Sequence, residues 1–263
     1  MILKLLSYNI RFGGGGRESR IAEVIRTVSP DLVVFQEATD TRVIEGLAKA
    51  NDFPSWAARR SHSIAYMSRV EVAYHEWHYP AGAKHSFLEM VLAGSELRIF
   101  GLHLSAMFSK WSERRRAREI RALLKGIERD QEGFHVLVGD FNTLAPGEVV
   151  DVRRMPAWIR GLVWISGRNI QRETIQVMLD ANYRDGFRLL HPDDKGYTFP
   201  TWDPHLRLDY VFLPAPFADR LVACEVISRP AEAAAASDHF PLLAHIDVNS
   251  DGGSTTSLVP GDA

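Results

Sequence analysis

Polar residues with the chemistry of a phosphate site stand at the ends of apolar runs along this chain. Asn9 lies in Ser7-Tyr8-Asn9-Ile10-Arg11, and Glu37 closes Phe35-Gln36-Glu37. His103 sits in Gly101-Leu102-His103-Leu104, and Asp140 and Asn142 in Gly139-Asp140-Phe141-Asn142. Asp209 sits in Arg207-Leu208-Asp209-Tyr210, and Asp238 and His239 in Ser237-Asp238-His239-Phe240-Pro241. Carboxylate and amide oxygens are hard ligands that suit Mg²⁺, with Mn²⁺ or Ca²⁺ as substitutes. Zinc is disfavoured, because no closely spaced His or Cys set occurs. A magnesium site with few carboxylates keeps several waters and leaves room for a substrate phosphate. No Gly-x-x-x-x-Gly-Lys loop and no Gly-x-Ser-x-Gly elbow is present. The Gly13 to Gly16 run reads as a flexible turn close to these residues.

The elements that must position these residues are short apolar runs. Ile2–Ile10, Leu32–Phe35, Ile64–Met67, Phe87–Leu92, Leu97–Leu104, His135–Val138, Leu208–Leu213 and Leu242–Ile246 read as strands. Helical spacing appears from Arg20 to Val28, from Ser109 to Arg129 and, more weakly, from Glu173 to Asn182. Two segments share one design: strand, helix, then a strand that ends in an acid. The first ends at Gln36-Glu37 and the second at Gly139-Asp140. In α/β sheets the C-terminal ends of strands are where polar ligands sit. The alternative for each residue is structural. Asp209 would partner Arg207, Asp238 would cap the turn before Pro241, His103 would be a satisfied core histidine, and Asn9 and Asn142 would form turns.

Composition narrows the class. The chain has 263 residues, 46% apolar and 24% charged, enough for a full core without wholesale disorder. Its 31 basic and 33 acidic side chains give a net charge of -2, so a basic coat for nucleic acid is excluded and any polyanion site must be local. The single cysteine, Cys224, excludes an intrachain disulfide and suits a reducing compartment. No apolar run reaches membrane-spanning length, and Met1 to Ile10 opens as a strand rather than a leader. These features predict a cytoplasmic protein without stable membrane insertion and with no evident obligate protein partner. One catalytic domain is expected over residues 1–248, and a disordered Gly/Ser/Thr/Asp-rich tail over 249–263.

The ordered strings Ser-Tyr-Asn-Ile, Val-Phe-Gln-Glu, Leu-His-Leu, Gly-Asp-Phe-Asn, Thr-Phe-Pro, Arg-Leu-Asp-Tyr and Ser-Asp-His-Phe-Pro, from Ser7 to Pro241, resemble the endonuclease/exonuclease/phosphatase superfamily. This is the group of DNase I, exonuclease III and neutral sphingomyelinase. The resemblance implies a four-layer α/β sandwich, two mixed sheets face to face with helices outside, and metal-dependent cleavage of a phosphate ester. By position, Glu37 resembles the principal metal ligand, with Asn9 beside it and Asp238 a carboxylate near the metal. Asp140 resembles the group that orients or deprotonates the attacking water, and Asn142 a phosphate or nucleophile positioner. His239 resembles the catalytic histidine with Asp209 as its partner, and His103 a second histidine of the DNase and sphingomyelinase branches. The chemistry is consistent with those parts. Hydrolysis of an anionic diester needs charge neutralised on its non-bridging oxygens and a water in line. A carboxylate can take that water's proton, and histidines in their cationic form donate to phosphate oxygens.

Arg11 stands where the apurinic-site branch usually places an acid, and would instead contact phosphate. The Arg114-Arg115-Arg116-Ala117-Arg118 run reads as a solvated helix face or as a track for a nucleic-acid backbone. Lys84, His85, Arg59, Arg60 and His62 would also face the cleft. Met155 to Ile165 reads as a covering helix or a lipid-touching segment, and the aromatic Gly196–Trp202 stretch as a base-stacking or structural loop. The leading expectation is a Mg²⁺-dependent nuclease or phosphodiesterase acting on DNA or RNA. The alternative is a hydrolase of lipid head groups or small phosphate esters, similar to sphingomyelinases or inositol phosphatases. A non-catalytic binding module is third, disfavoured because every central position is filled.

Overall fold

The computed structural model describes residues 1–81, 83–128, 132–165 and 170–249. The expected tail therefore lies outside the described residues except for Asn249, and so does Arg129 at the end of the expected long helix.

Two sheets of six strands build the centre. The strands of the first are β1 (Ile2–Asn9), β2 (Leu32–Gln36), β3 (Ser55–Ala57), β4 (Ile64–Ser68), β11 (Leu221–Val226) and β12 (Leu242–Asp247). Those of the second are β5 (Val72–His78), β6 (Phe87–Leu92), β7 (Arg98–His103), β8 (His135–Asp140), β9 (Tyr183–Asp185) and β10 (Asp209–Pro214). The first sheet has the order β11-β12-β1-β2-β4-β3 and the second β5-β6-β7-β8-β10-β9. Each sheet is mixed: β1 runs parallel to β2 but antiparallel to β12, and β7 runs parallel to β8, which is antiparallel to β10. Outside them lie α1 (Glu18–Val28), α2 (Thr41–Ala50), α3 (Lys110–Gly126), α4 (Ala157–Ile165), α5 (Glu173–Asp180), α6 (Gly186–Leu190) and α7 (Glu232–Ala236).

The period-2 alternation of strands sorts the side chains into layers. On β1, Leu3 and Leu5 face the other sheet, while Leu6 and Tyr8 face α1 and α2. On β8, Val136 and Val138 point between the sheets, and Leu137 points outward to pack with Ile120 and Leu123 of α3. On β10, Val211 and Leu213 point inward, and Tyr210 and Phe212 outward. The inward rows turn polar at one end. Leu3-Leu5 continues into Ser7 and Asn9, Leu32-Val34 into Gln36, Ile99 into His103, Val136-Val138 into Asp140, and Leu213-Val211 into Asp209. The site is thus the polar end of the core between the sheets. Glycine permits the approach there. A Cβ on Gly101 would lie 2.6 Å from Val34 Cγ1, and one on Gly139, whose φ is 150°, would lie 1.9 Å from the Leu102 carbonyl oxygen.

The strand-like runs fold as read. Missing from that reading are the edge strands β3, β5, β9 and β11 and the helices α2, α6 and α7. Met155 to Ile165 forms α4 after a short turn, with Val163 buried while Trp158, Trp164 and Ile165 are exposed. The arginine run on α3 is not a uniformly solvated face. Arg116 is 1% exposed, and it donates to Glu113 Oε2 at 2.8 Å and to the carbonyls of Ser105 and Met107 at 2.7 and 2.9 Å.

Candidate active site

Asp140 sits at the junction of the two sheets. Pairing puts His103 opposite it on β7 and Asp209 opposite it on β10, so the second sheet presents the three in a row. The first sheet reaches across with Asn9, whose Nδ2 donates to Asp140 Oδ2 at 3.0 Å and lies 3.4 Å from Glu37 Oε1. Asn142, in a left-handed turn at φ 53°, donates its backbone N–H to Asp140 Oδ1 at 2.8 Å and its amide to Oδ2 at 3.1 Å. That amide also donates to the Leu104 carbonyl, tying the ends of β7 and β8 together.

His239 enters from the loop before β12. Its Nδ1 donates to Asp209 Oδ2 at 2.9 Å, and its Nε2 points toward Asp140 Oδ2 at 3.8 Å. The loop is tied down by Ser237, whose hydroxyl donates to the Asn9 carbonyl at 2.6 Å. Phe199 packs on the His239 ring with centroids 4.8 Å apart. His103 Nε2 lies 3.9 Å from Asp140 Oδ2 while its Nδ1 is buried without a hydrogen-bond partner, and His85 stacks on the ring at 5.2 Å.

Burial and charge divide the protons among these groups. For Asp140, burial is the largest effect and raises the carboxyl to about 7, while His239 pulls it down. Burial works against a cation at His239, but Asp209 and Asp140 outweigh it and raise the imidazole to about 10. Burial, with His85, His239 and Lys84 nearby, lowers His103 to about 3. One histidine is therefore cationic at neutral pH and the other neutral. The donor role that the sequence reading gave to a cationic histidine thus fits His239 and not His103. His103 lacks a carboxylate in hydrogen-bond contact, and Asp209 supplies one to His239.

Glu37 follows β2 in a left-handed conformation, φ 56°. It is half-buried, unlike Asp140 and Asp209, so its carboxylate is the one that opens to the cleft. Oε2 accepts the Phe12 N–H at 2.7 Å and Oε1 has only the long Asn9 contact, so both oxygens keep lone pairs for a hard cation. Ligand atoms of Asp140, Asp209 and His239 also lie within 4.8 Å of one another. The Asp209–His239 hydrogen bond already engages two of those three residues, so their ligand atoms are less free than those of Glu37.

Asn9 points its oxygen at the Arg11 N–H at 3.0 Å and its nitrogen at two carboxylates, so it is a donor here. Asp238 pairs with Arg11, Nε to Oδ2 at 3.3 Å, and is not one of the residues whose ligand atoms lie within 4.8 Å of one another, although its charge adds to those favouring the His239 cation. Ser237, Gln36 and Phe199 complete the surroundings, and residue type alone does not single them out. The alternation Leu3-Leu5-Ser7-Asn9 and Leu32-Val34-Gln36 carries the signal for Gln36, since both continue an inward row.

A search of curated protein sequences returned no match. Solved structures share the fold. An AP endonuclease from Archaeoglobus fulgidus superposes with TM-score 0.70 at 19% identity, covering 94% of this chain and 100% of that one. A 3'-5' exonuclease (NExo) from Neisseria meningitidis gives 0.67 at 20%, covering 93% and 100%. A variant of the 3' phosphatase NExo from Neisseria, bound to product DNA hairpin, gives 0.65 at 18%, covering 93% and 99%. The sequence model described as the Endonuclease/Exonuclease/phosphatase family matches residues 6–239, from the first strand to His239, and the chain belongs to that family of phosphoester-hydrolysing enzymes.

Proposed function

We propose that the chain is a divalent-metal-dependent phosphodiesterase, a nuclease acting on DNA or RNA, with its catalytic unit in residues 1–248. The observation that supports this most is the buried Asp140, raised to about 7 and ringed by the donors Asn9 and Asn142 beside the Asp209–His239 pair. A carboxyl that titrates near neutrality is well matched to accept a proton from water. In this reading Asp140 orients and deprotonates the attacking water. Asn9 and Asn142 fix its carboxylate, so that Asn142 positions the nucleophile through Asp140. With Nδ1–H given to Asp209, the His239 cation has Nε2–H free to donate to a phosphoryl oxygen as charge builds. His103, neutral, offers Nε2 on the other side of Asp140. Arg11 contacts phosphate from the rim.

Glu37 would hold a Mg²⁺ ion, or Mn²⁺ or Ca²⁺ in its place. Such an ion supplies charge neutralisation on the non-bridging oxygens when bound. Asn9 keeps the Glu37 and Asp140 carboxylates apart and placed. Among the described residues no helix is long and apolar enough to cross a membrane. A cytoplasmic setting belongs to the same reading, supported by a free, buried Cys224.

A second reading, lipid head-group hydrolysis, draws on the exposed Trp158, Trp164 and Ile165 of α4. Incubation with plasmid DNA, RNA, sphingomyelin liposomes and bis-(p-nitrophenyl) phosphate, each with Mg²⁺, Mn²⁺ or EDTA, tests both. Nucleic-acid cleavage that EDTA abolishes is expected. Liposome turnover that depends on Trp158 and Trp164 would favour the second reading, and no turnover of any diester would refute both.

A further inference from the structure

The turn after Asn9 is held in a conformation its residues disfavour. Arg11 and Phe12 have φ of 50° and 48°, a region that bulky L-residues enter only at a cost. Three braces keep it there. The Phe12 N–H donates to Glu37 Oε2 at 2.7 Å, the Gly13 N–H donates to the Glu37 carbonyl at 2.8 Å, and the Arg17 guanidinium donates to the carbonyls of Arg11 and Ala236. The backbone of Phe12 is thus part of the site, yet its ring is 79% exposed. Packing does not explain that ring. The Arg11 guanidinium lies 5.4 Å from its centroid and pairs on the other side with Asp238. The Thr201 N–H donates to the Asp238 carbonyl at 3.0 Å, which brings Trp202, 67% exposed, to the same rim.

The geometry points to a base-stacking subsite: the Phe12 ring, flanked by Arg11, is the platform for a nucleobase of the substrate adjoining the phosphate held at Glu37. An exposed aromatic face fixed by backbone hydrogen bonds offers a planar partner stacking area at little ordering cost, and a guanidinium beside it adds cation–π attraction. The ion pair on its flank suits a polar heteroaromatic ring better than an acyl chain, which needs a contiguous apolar surface. The inference rests on the phosphodiesterase reading in one respect, since it takes the phosphate to lie at Glu37.

Two measurements test it on the full chain with Mg²⁺. The first compares thymidine 5'-(p-nitrophenyl) phosphate with methyl p-nitrophenyl phosphate, which differ in the nucleoside alone. Phe12→Ala should lower the ratio of kcat/KM for the thymidine over the methyl ester about 10-fold, through KM, and Phe12→Trp should restore it. An unchanged ratio, including equal slowing of both esters, overturns stacking and leaves Phe12 as a brace for Glu37. The second needs no turnover. A 2-aminopurine base in a short single strand, bound to Asp140→Asn protein, should be quenched with Phe12 present and unquenched in the Asp140→Asn/Phe12→Ala double variant. Equal emission overturns the inference. Quenching in a protein that hydrolyses no ester would support the subsite while refuting the phosphodiesterase reading. The same base as a free nucleotide distinguishes a nucleotide from a nucleic-acid ligand.

Discussion

Asp209→Asn isolates the role of the His239 charge. The variant keeps the size and one acceptor oxygen of the side chain, and removes the charge 2.9 Å from Nδ1. At a separation of about 4 Å between charge centres and an effective dielectric near 20, that attraction is about 4 kcal/mol. At 1.36 kcal/mol per unit this is roughly 3 pH units. His239 stands at about 10 with the carboxylate in place. Losing it brings the imidazole to roughly 7, close to its ordinary value, where the remaining attraction of Asp140 about balances burial's opposition to the cation. Below both values the histidine is charged in either protein, so the difference opens as pH rises through ~7 and closes above ~10. The assay is the pH profile of kcat on bis-(p-nitrophenyl) phosphate with Mg²⁺. Asp209→Asn should lose about 30-fold at about pH 8.5, because only a few per cent of a group titrating near 7 is still charged there, and its alkaline limb should move about 3 units toward acid. An unmoved limb, or full activity at that pH, would refute the assignment of His239 as a cation sustained by Asp209.

Further outcomes follow from the same geometry. His103 is held neutral, so the unfolded chain takes up its proton below pH ~6.5 while the folded chain does not until about 3. Its contribution is therefore largest above ~6.5 and falls as pH drops. Thermal melts at about pH 7 and pH 5 should show a smaller difference in His103→Gln than in the parent protein, by at most about 2 kcal/mol. Arg116→Met should destabilise the fold by about 3–5 kcal/mol because it strands Glu113, whereas Arg114→Ala should stay within about 0.5 kcal/mol. Urea unfolding checks that contrast, and equal effects would mean that both arginines belong to a solvated face.

Much of the sandwich is legible because its central strands are buried on both faces and read as unbroken apolar runs, as Leu32–Phe35 and His135–Val138 do. The edges are not. β5 is mostly exposed and carries charged and aromatic residues, β11 has only two buried positions, and β3 and β9 have three residues each. The helix α2 does carry a readable pattern, Asp40 as N-cap before Val43, Ile44 and Leu47, which a search for apolar strand runs passes over. In the site, residue types at strand ends mark Glu37, Asp140, Asp209 and His239, and the fold gathers the last three. Type alone does not show that Asn9 turns its nitrogen to the carboxylates, that Asp238 is taken by Arg11, or that burial separates the two histidines. Those properties come from contacts between residues far apart in the chain, as in Asp209 with His239 and Asn9 with Ser237. Arg116 shows the same limit, since nothing in a row of arginines says which one is buried.

The most direct test of the account is hydrolysis of bis-(p-nitrophenyl) phosphate by the purified chain before and after EDTA, alongside Asp140→Asn and His239→Ala. The account predicts turnover with Mg²⁺, its loss in EDTA with recovery on adding the ion back, and a fall of roughly 10² or more in each variant whose melting curve shows it folded. Undiminished cleavage in EDTA, or full activity in both folded variants, would contradict it.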